Sequence, residues 1–423
     1  MRKTVIILLL LTFVSFELWP QSYAETEIVS VEKKPRILRT LSEGEFDVLM
    51  VEGRRIYLVC SQKDLIRLEE ENVSYTIETQ NFYPYLQSSQ ETKGGINGDY
   101  HSYLELERDL FALESAYPHL ARVYDIGDSL EQRNIYALKV SDNVSLDEQE
   151  AEVFFCGCHH AREWISVEVP FLLGKYLVEN YNSNPSIKAL VDRSEIWIVP
   201  LVNPDGLEYT IHVYRYWRKN RRHNGDGSYG VDLNRNYGYN WGYDNRGSSP
   251  DPSSGVYRGP SAFSEPETRA IRDLFLQRNF QAMITYHNYS QVILYPWGYT
   301  TAPTEDDAIM EDIAARMSEL MAGVNGTIYD YGRSGADLYL TNGDTTDWTY
   351  GLFGIPSFTI ELPPVDVPHG GFFNAEEDII SIFEENLQAA LALIDYAIQN
   401  FDQDIRPRQK RIIRFKAPRK FRK

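Results

Sequence analysis

The sequence predicts an α/β fold, a mixed or parallel sheet covered by helices on both faces, with a small α+β unit ahead of it. Three observations predict this. From about Tyr100 to Phe401 short apolar runs alternate with long amphipathic stretches, the order that strands and intervening helices give along a chain. The runs are near-continuous in apolar character, which marks strands buried on both sides. The chain has 423 residues and 43% hydrophobic content, enough for a sizeable core.

The N-terminus reads Arg2 and Lys3, an apolar run from Val5 to Phe16, then Ser22-Tyr23-Ala24. These are the three zones of a secretory signal, with cleavage expected after Ala24. The run is too short to span a bilayer and no other stretch approaches that length. Residues 1–24 are therefore read as a signal peptide, and the mature protein as secreted and soluble. Within 25–93, EFDVLMV and RRIYLVC predict two strands joined by a turn at Glu52-Gly53, SQKDLIRLEEE a short helix capped by Ser61, and VSYTIET another strand. SSQETKGGING, polar and Gly-rich, predicts a linker open to proteases. In the main unit, 94–400, strands are predicted at EVFFCGC, EIWIVPLV, AMITYH, VILYP and SFTIEL. Helices are predicted at 164–182, 265–278, 305–323 and 375–399. Ser264 with Glu267 predicts a capping box on the second helix.

The formal charge of −19 argues against nucleic acid and anionic membrane as partners. It conceals an asymmetry: residues 401–423 carry +8, ten Lys or Arg against two Asp, which leaves −27 on the rest. This basic tail reads as a disordered extension, with an anchor to an anionic surface or a trimmed segment as the other readings. Cys156 and Cys158 are one residue apart, a spacing that strains a mutual bridge, and Cys60 lies in the small unit. No disulfide is expected in the active form.

Alternation along EVFFCGC puts Cys156 and Cys158 on one face with Gly157 opposite, where they read as packing rather than ligation. At that strand's end the chain turns, and there His160 and Glu163 have the His-x-x-Glu spacing that brings an imidazole and a carboxylate to one side of a helical turn. His287 closes the AMITYH strand and is the candidate third ligand. Two His and one Glu leave the fourth position of a zinc ion open, the arrangement of catalytic sites. His159 has Arg162, not a carboxylate, three positions on, and reads as structural or as support for the ligands.

HHAREW, NPDG, WRKN, GVDLNRNYG, TYHNYS, DLYLTNGDTTDW and FTIEL, in that order over residues 95–400, resemble the zinc metallocarboxypeptidases of the carboxypeptidase A type, most closely the bacterial T type. The resemblance implies one catalytic domain with a central mixed eight-stranded sheet flanked by helices. It also implies an N-terminal propeptide, which the small α+β unit fits, acting as an intramolecular inhibitor of a monomeric zymogen whose substrates are peptide or protein C-termini.

Residue by residue, the resemblance makes Glu361 the general base that moves a proton from water to the leaving amine. Arg218 becomes the stabiliser of charge on the carbonyl oxygen, a role whose loss costs about 3–4 kcal/mol. Arg235 has the planar fork for a terminal carboxylate, with Asn234 as an amide donor beside it. Arg162 lines the approach, Tyr339 closes over the bound terminus, and Asp232 orients the first zinc histidine. Thr346 stands where the A type has an apolar residue and the B type an aspartate, and Asp344 lies two residues earlier, as in the T type. That pair implies tolerance of both hydrophobic and basic C-terminal residues. Asn288 replaces a serine of the pancreatic enzymes. The acidic run Asp147, Glu148, Glu150, Glu152, with Glu195, matches calcium-binding positions of the T type, against the plainer reading of a solvated loop. Two alternatives are a murein stem-peptide carboxypeptidase and a non-catalytic peptide-binding relative; the presence of all three ligands and Glu361 argues against the second.

Overall fold

The computed structural model describes residues 27–34, 37, 46–52, 54–60, 62–79, 97–365 and 370–402. The signal segment, Gly53 of the expected turn, the Ser61 cap, the linker up to Ile96 and the basic tail from Gln403 lie outside the described residues.

The small unit is an antiparallel sheet with one helix. Strands β1 (Glu27–Glu32), β2 (Asp47–Glu52), β3 (Arg55–Cys60) and β4 (Tyr75–Thr79) lie in the order β2-β3-β1-β4, and α1 (Gln62–Glu70) follows β3. Its core is small, with Val29, Val31, Ile56, Leu58 and Leu68 buried. The β1 strand is an element the sequence reading did not find.

The main unit opens with α2 (Tyr103–Ala116), β5 (Ala121–Asp128), β6 (Asn134–Val140) and β7 (Ala151–Gly157). Then come α3 (Ile165–Asn180), α4 (Pro185–Val191), β8 (Ser194–Val199), α5 (Pro204–His212) and α6 (Pro266–Phe275). The last third is β9 (Phe280–Asn288), β10 (Val292–Tyr295), α7 (Asp307–Asn325), β11 (Asp330–Arg333), α8 (Thr345–Phe353), β12 (Ser357–Leu362) and α9 (Asp378–Asp402). The eight strands of this unit form one mixed sheet, β11-β10-β12-β9-β7-β8-β6-β5. Its middle, β12-β9-β7-β8, is parallel throughout, and antiparallel pairs flank it.

Both faces are covered, as the unbroken apolar strands require. Val153 and Phe155 of β7 point into a core shared with α2, α3, α7 and α9, whereas Phe154 and Cys156 point into one shared with α6 and α8. Helix α9 runs two residues past the expected end of the unit, through Phe401 and Asp402. Among the described residues no helix is long and apolar enough to cross a membrane.

Two local expectations are corrected. The Ser264 capping box does not form: Glu265 is the N-cap of α6, Pro266 fills the first turn, and the Ser264 hydroxyl donates to the Glu265 carboxylate at 2.6 Å. A capping box exists instead at Ser102 and Glu105, which open α2. Cys156 and Cys158 do not share a face, because β7 ends at Gly157 and Cys158, with φ of 55°, turns into the opposite core. Both thiols are buried and form no disulfide, and burial pushes the Cys156 thiol up to about 12 despite a hydrogen bond with Thr285.

Gly157 lets this turn form. A Cβ there would lie 1.8 Å from the carbonyl oxygen of Ser166 in α3. Gly157→Ala must therefore push the turn after β7 off the helix, and should lower stability by about 3 kcal/mol, read from the urea midpoint at unchanged m-value.

Candidate active site and metal centre

Parallel pairing brings the distant residues together. β7 and β9 run side by side, as do β9 and β12, and Glu361 is the direct register partner of His287. All three strands therefore end at one edge, where clefts form in sheets of this class. Beyond β7 the chain makes a tight turn, Glu163 N–H donating to the His160 carbonyl at 3.1 Å, before α3 begins. Asn203, the N-cap of α5, donates to the carbonyls of His159 and Lys219, and Ala161 N–H donates to the Arg218 carbonyl. The HHAREW, NPDG and WRKN segments are thus one hydrogen-bonded unit.

His160 Nδ1 lies 2.8 Å from Glu163 Oε1, His287 Nδ1 lies 2.9 Å from Glu163 Oε2, and the two Nδ1 atoms are 3.1 Å apart. All three residues are buried. Two imidazole nitrogens turned on each other and on one carboxylate suit a divalent cation held between them, and the donor set is that of zinc. Burial pushes the Glu163 carboxyl up, but the two imidazoles outweigh it and hold it below its ordinary range. Burial lowers His287, partly offset by Glu163, which keeps its imidazole neutral and able to ligate.

Groups behind the ligands fix their orientation. Fully buried Asp232 lies 3.2 Å from His160 Nε2 and accepts from Arg218 Nε at 3.0 Å and Nη2 at 2.9 Å. Burial would raise Asp232, but Arg218 first and then His160 hold it well below the ordinary range. His287 Nε2 lies 3.2 Å from Thr285 Oγ1. His159 does not ligate: its ring faces Tyr237, Thr345 and Thr285, and burial first, then the two neighbouring imidazoles, drive its pKa well below the usual value.

A cleft opens beside this centre. His160, His287, Asn234, Arg235, Tyr339, Asp344, Thr346 and Glu361 line it, together with Thr341, Thr359, Leu294, Ser334 and Leu338, which the sequence reading did not find. Thr359 was within reach, since it precedes Glu361 by two on β12 and so shares its face. Arg218 and Asp232 are not among the lining residues, and neither is Arg162, whose guanidinium stacks 4.2 Å from the Phe372 ring. Burial raises the Glu361 carboxyl well above its ordinary value and Glu163 adds to this, against Arg218, Arg235 and Arg162. Asp344 is the N-cap of α8, accepting from Asp347 N–H at 2.8 Å and from the Thr341 hydroxyl at 2.6 Å.

A family model described as zinc carboxypeptidase matches residues 106–389. The chain belongs to the zinc carboxypeptidase family. It is 34% identical over 322 residues to a zinc carboxypeptidase of Saccharothrix mutabilis subsp. capreolus, covering 73% of this chain and 72% of that one. It is also 34% identical over 303 residues to carboxypeptidase B of Astacus astacus, covering 70% and 96%. Among solved structures, carboxypeptidase A from Helicoverpa armigera superposes with a TM-score of 0.78 at 25% identity, over 89% of this chain and 98% of that one. These relatives do not single out the T type.

This zinc carboxypeptidase does not gather the five expected calcium acids in one place. Asp147, Glu152 and Glu195 all receive Arg278, at 2.6, 2.9 and 2.7 Å, and buried Lys139 adds a second cation 2.7 Å from Glu195. Two side-chain cations thus face these three acids, of which only Asp147 is exposed. Glu148 and Glu150 turn away from them to meet Asp142.

Two outcomes follow from these acids. Replacing Arg278 with Met leaves Glu152 and Glu195 short of a counter-charge and should cost about 3–5 kcal/mol in denaturant unfolding. Burial first, then Asp142 and Glu148, push Glu150 from 4.5 up to about 8. Between those values the folded protein holds a proton that the unfolded chain has released, so stability should fall as pH rises from about 4.5 to about 8 and level off above. Melting curves of Glu150→Gln should lack that slope.

Proposed function

We propose that this metallocarboxypeptidase is secreted as a zymogen and, once its N-terminal unit is removed, releases single C-terminal amino acids, hydrophobic and basic, from peptides and proteins. The observation that carries the reading is the meeting of Arg235, Tyr339 and Glu361 with the two ligand histidines in one cleft. Such a site can hold a terminal carboxylate at one end and transfer a proton at the other.

His160, Glu163 and His287 would hold zinc, which supplies Lewis acidity toward oxygen and eases deprotonation of water. The protein's own groups do the rest. Arg235 fixes the terminal carboxylate by charge-assisted hydrogen bonds, and Asn234 beside it adds an amide donor. Tyr339, raised above its ordinary value by burial despite the nearby Arg235, keeps its phenolic proton and stays a neutral donor. Glu361 takes the proton of the attacking water and passes it to the amine that leaves. Arg218, held behind the cleft lining by two bonds to Asp232, would supply positive charge toward the carbonyl oxygen. Arg162, held on Phe372, adds positive charge along the approach.

Asp344 and Thr346 set the preference. A carboxylate beside Leu294 and Leu338 can receive an ammonium or guanidinium, and the apolar wall receives an aliphatic or aromatic side chain. The zymogen reading is supported by the separate four-stranded unit and by the Helicoverpa match, whose 89% coverage exceeds residues 97–402 alone. Calcium has no part in this reading.

Activity on blocked dipeptides should vanish with a chelator, return with zinc, and rise after limited proteolysis near Lys93. Glu361→Gln should lower kcat by about 10²–10⁴-fold while zinc content stays at one per chain. Asp344→Asn, which keeps a helix cap, should lower kcat/KM for C-terminal Arg and Lys at least tenfold more than for Leu or Phe. Equal losses on both classes rule out the proposed pocket.

A further inference from the structure

We propose that His159 and Thr285 are positioning residues that set the tautomer of the metal ligand His287, through a hydrogen-bond chain whose direction is fixed by the first turn of α8. This rests on the metal reading of His160, Glu163 and His287 and asks what prepares that centre before any ion arrives.

The chain starts at Asn234. Its Oδ1 accepts the backbone N–H of Thr345 at 3.0 Å, and the Thr345 hydroxyl lies 2.8 Å from the same oxygen. An amide oxygen can only accept, so the hydroxyl proton of Thr345 is committed to Asn234. What Thr345 Oγ1 then offers to His159 Nε2, 3.2 Å away, is a lone pair. His159 is fully buried, with hydroxyl groups rather than carboxylates as its hydrogen-bond partners. It is therefore a neutral imidazole carrying one proton, and facing that lone pair the proton sits on Nε2, which also reaches the Tyr237 oxygen at 2.8 Å.

With Nε2 protonated, His159 Nδ1 is an acceptor. Thr285 Oγ1, 3.3 Å away, donates to it and keeps its own lone pairs for His287 Nε2 at 3.2 Å. His287 must then carry its proton on Nε2 and present a bare Nδ1. That bare nitrogen is the atom 3.1 Å from His160 Nδ1 and 2.9 Å from Glu163. The His159 ring lies parallel to His287, 14° between planes with centroids 5.5 Å apart, so packing holds the two in register.

The opposite direction is definable. Tyr237 would donate to a bare His159 Nε2, Thr285 would donate to His287 Nε2, Asn234 Nδ2 at 3.4 Å would join it, and the His287 proton would occupy the metal position. It sets two lone pairs against each other between Thr345 and His159 at 3.2 Å, whereas the favoured direction sets donor against donor only across the longer 3.4 Å contact of Asn234 Nδ2 with His287 Nε2. An amide bond formed by one backbone N–H thus reaches the metal through four side chains, Asn234, Thr345, His159 and Thr285, and fixes both the Asn234 amide and the His287 ligand.

Nitrogen-15 NMR of the zinc-free full-length protein, with His287 assigned by its loss in His287→Gln, reads the tautomer directly. The expected spectrum shows the proton on Nε2 of His287. Zinc affinity, measured by chelator competition, should fall about 10–100-fold in Thr285→Val and in His159→Phe and stay within about threefold in Thr285→Ser, which keeps the hydroxyl. A His287 proton on Nδ1 in the zinc-free protein overturns the proposal, as does undiminished affinity in Thr285→Val. Failure of the unmodified protein to bind zinc at all would overturn the metal reading instead.

Discussion

The parallel register of β7, β9 and β12 is the constraint on which the rest depends. It stops three strands at the same edge, so residues 124 positions apart in the chain meet within 2.9 Å. None of the three ligands is near another by local structure except His160 and Glu163. Their convergence is a property of strand pairing, and strand pairing in turn requires the two apolar layers that cover β7 on either side. The chemistry is thus positioned by the core.

Both ends of this sheet bury charge, and they resolve it differently. At the far end Glu152 and Glu195 are met by Arg278 and Lys139, two permanent cations that complete the charge balance from within the chain. At the cleft end Glu163 has only imidazoles, and Glu361 stands near it as a second carboxylate. Arg218, Arg235 and Arg162 offset Glu361 there, so the acid met only by imidazoles is Glu163, between the two candidate ligand histidines. Buried acids fully matched by arginine and lysine have no call for an ion, whereas acids matched only by neutral donors do.

Much of this was legible in the sequence. The five central strands and four long helices read correctly because their apolar runs are continuous or strongly periodic, and His160, Glu163, His287 and Glu361 sit at or just past strand ends, where an α/β sheet places function. The residues left out share a cause. β5 and β11 lie at the edges and are only partly buried, while β6, buried along most of its length, has its apolar run interrupted by Lys139, so all three lack the long apolar run that marks a central strand. The Ser264 box failed because Pro266 suits the first helical position and moved the cap to Glu265. The calcium acids were misgrouped because Arg278, 131 positions beyond Asp147, carries no local signal of where it folds back. The His159 chain was invisible for a similar reason, since threonines gain meaning only from what they face.

Asp344 holds two duties at once. Its carboxylate faces the cleft and also terminates the backbone of α8 through Asp347 N–H. An apolar residue in its place would release the helix start and remove a carboxylate from the cleft wall in one step, so the shape of the wall and the start of α8 are coupled. Neighbouring Thr346 shares in this coupling, since its hydroxyl donates to the same carboxylate at 3.0 Å.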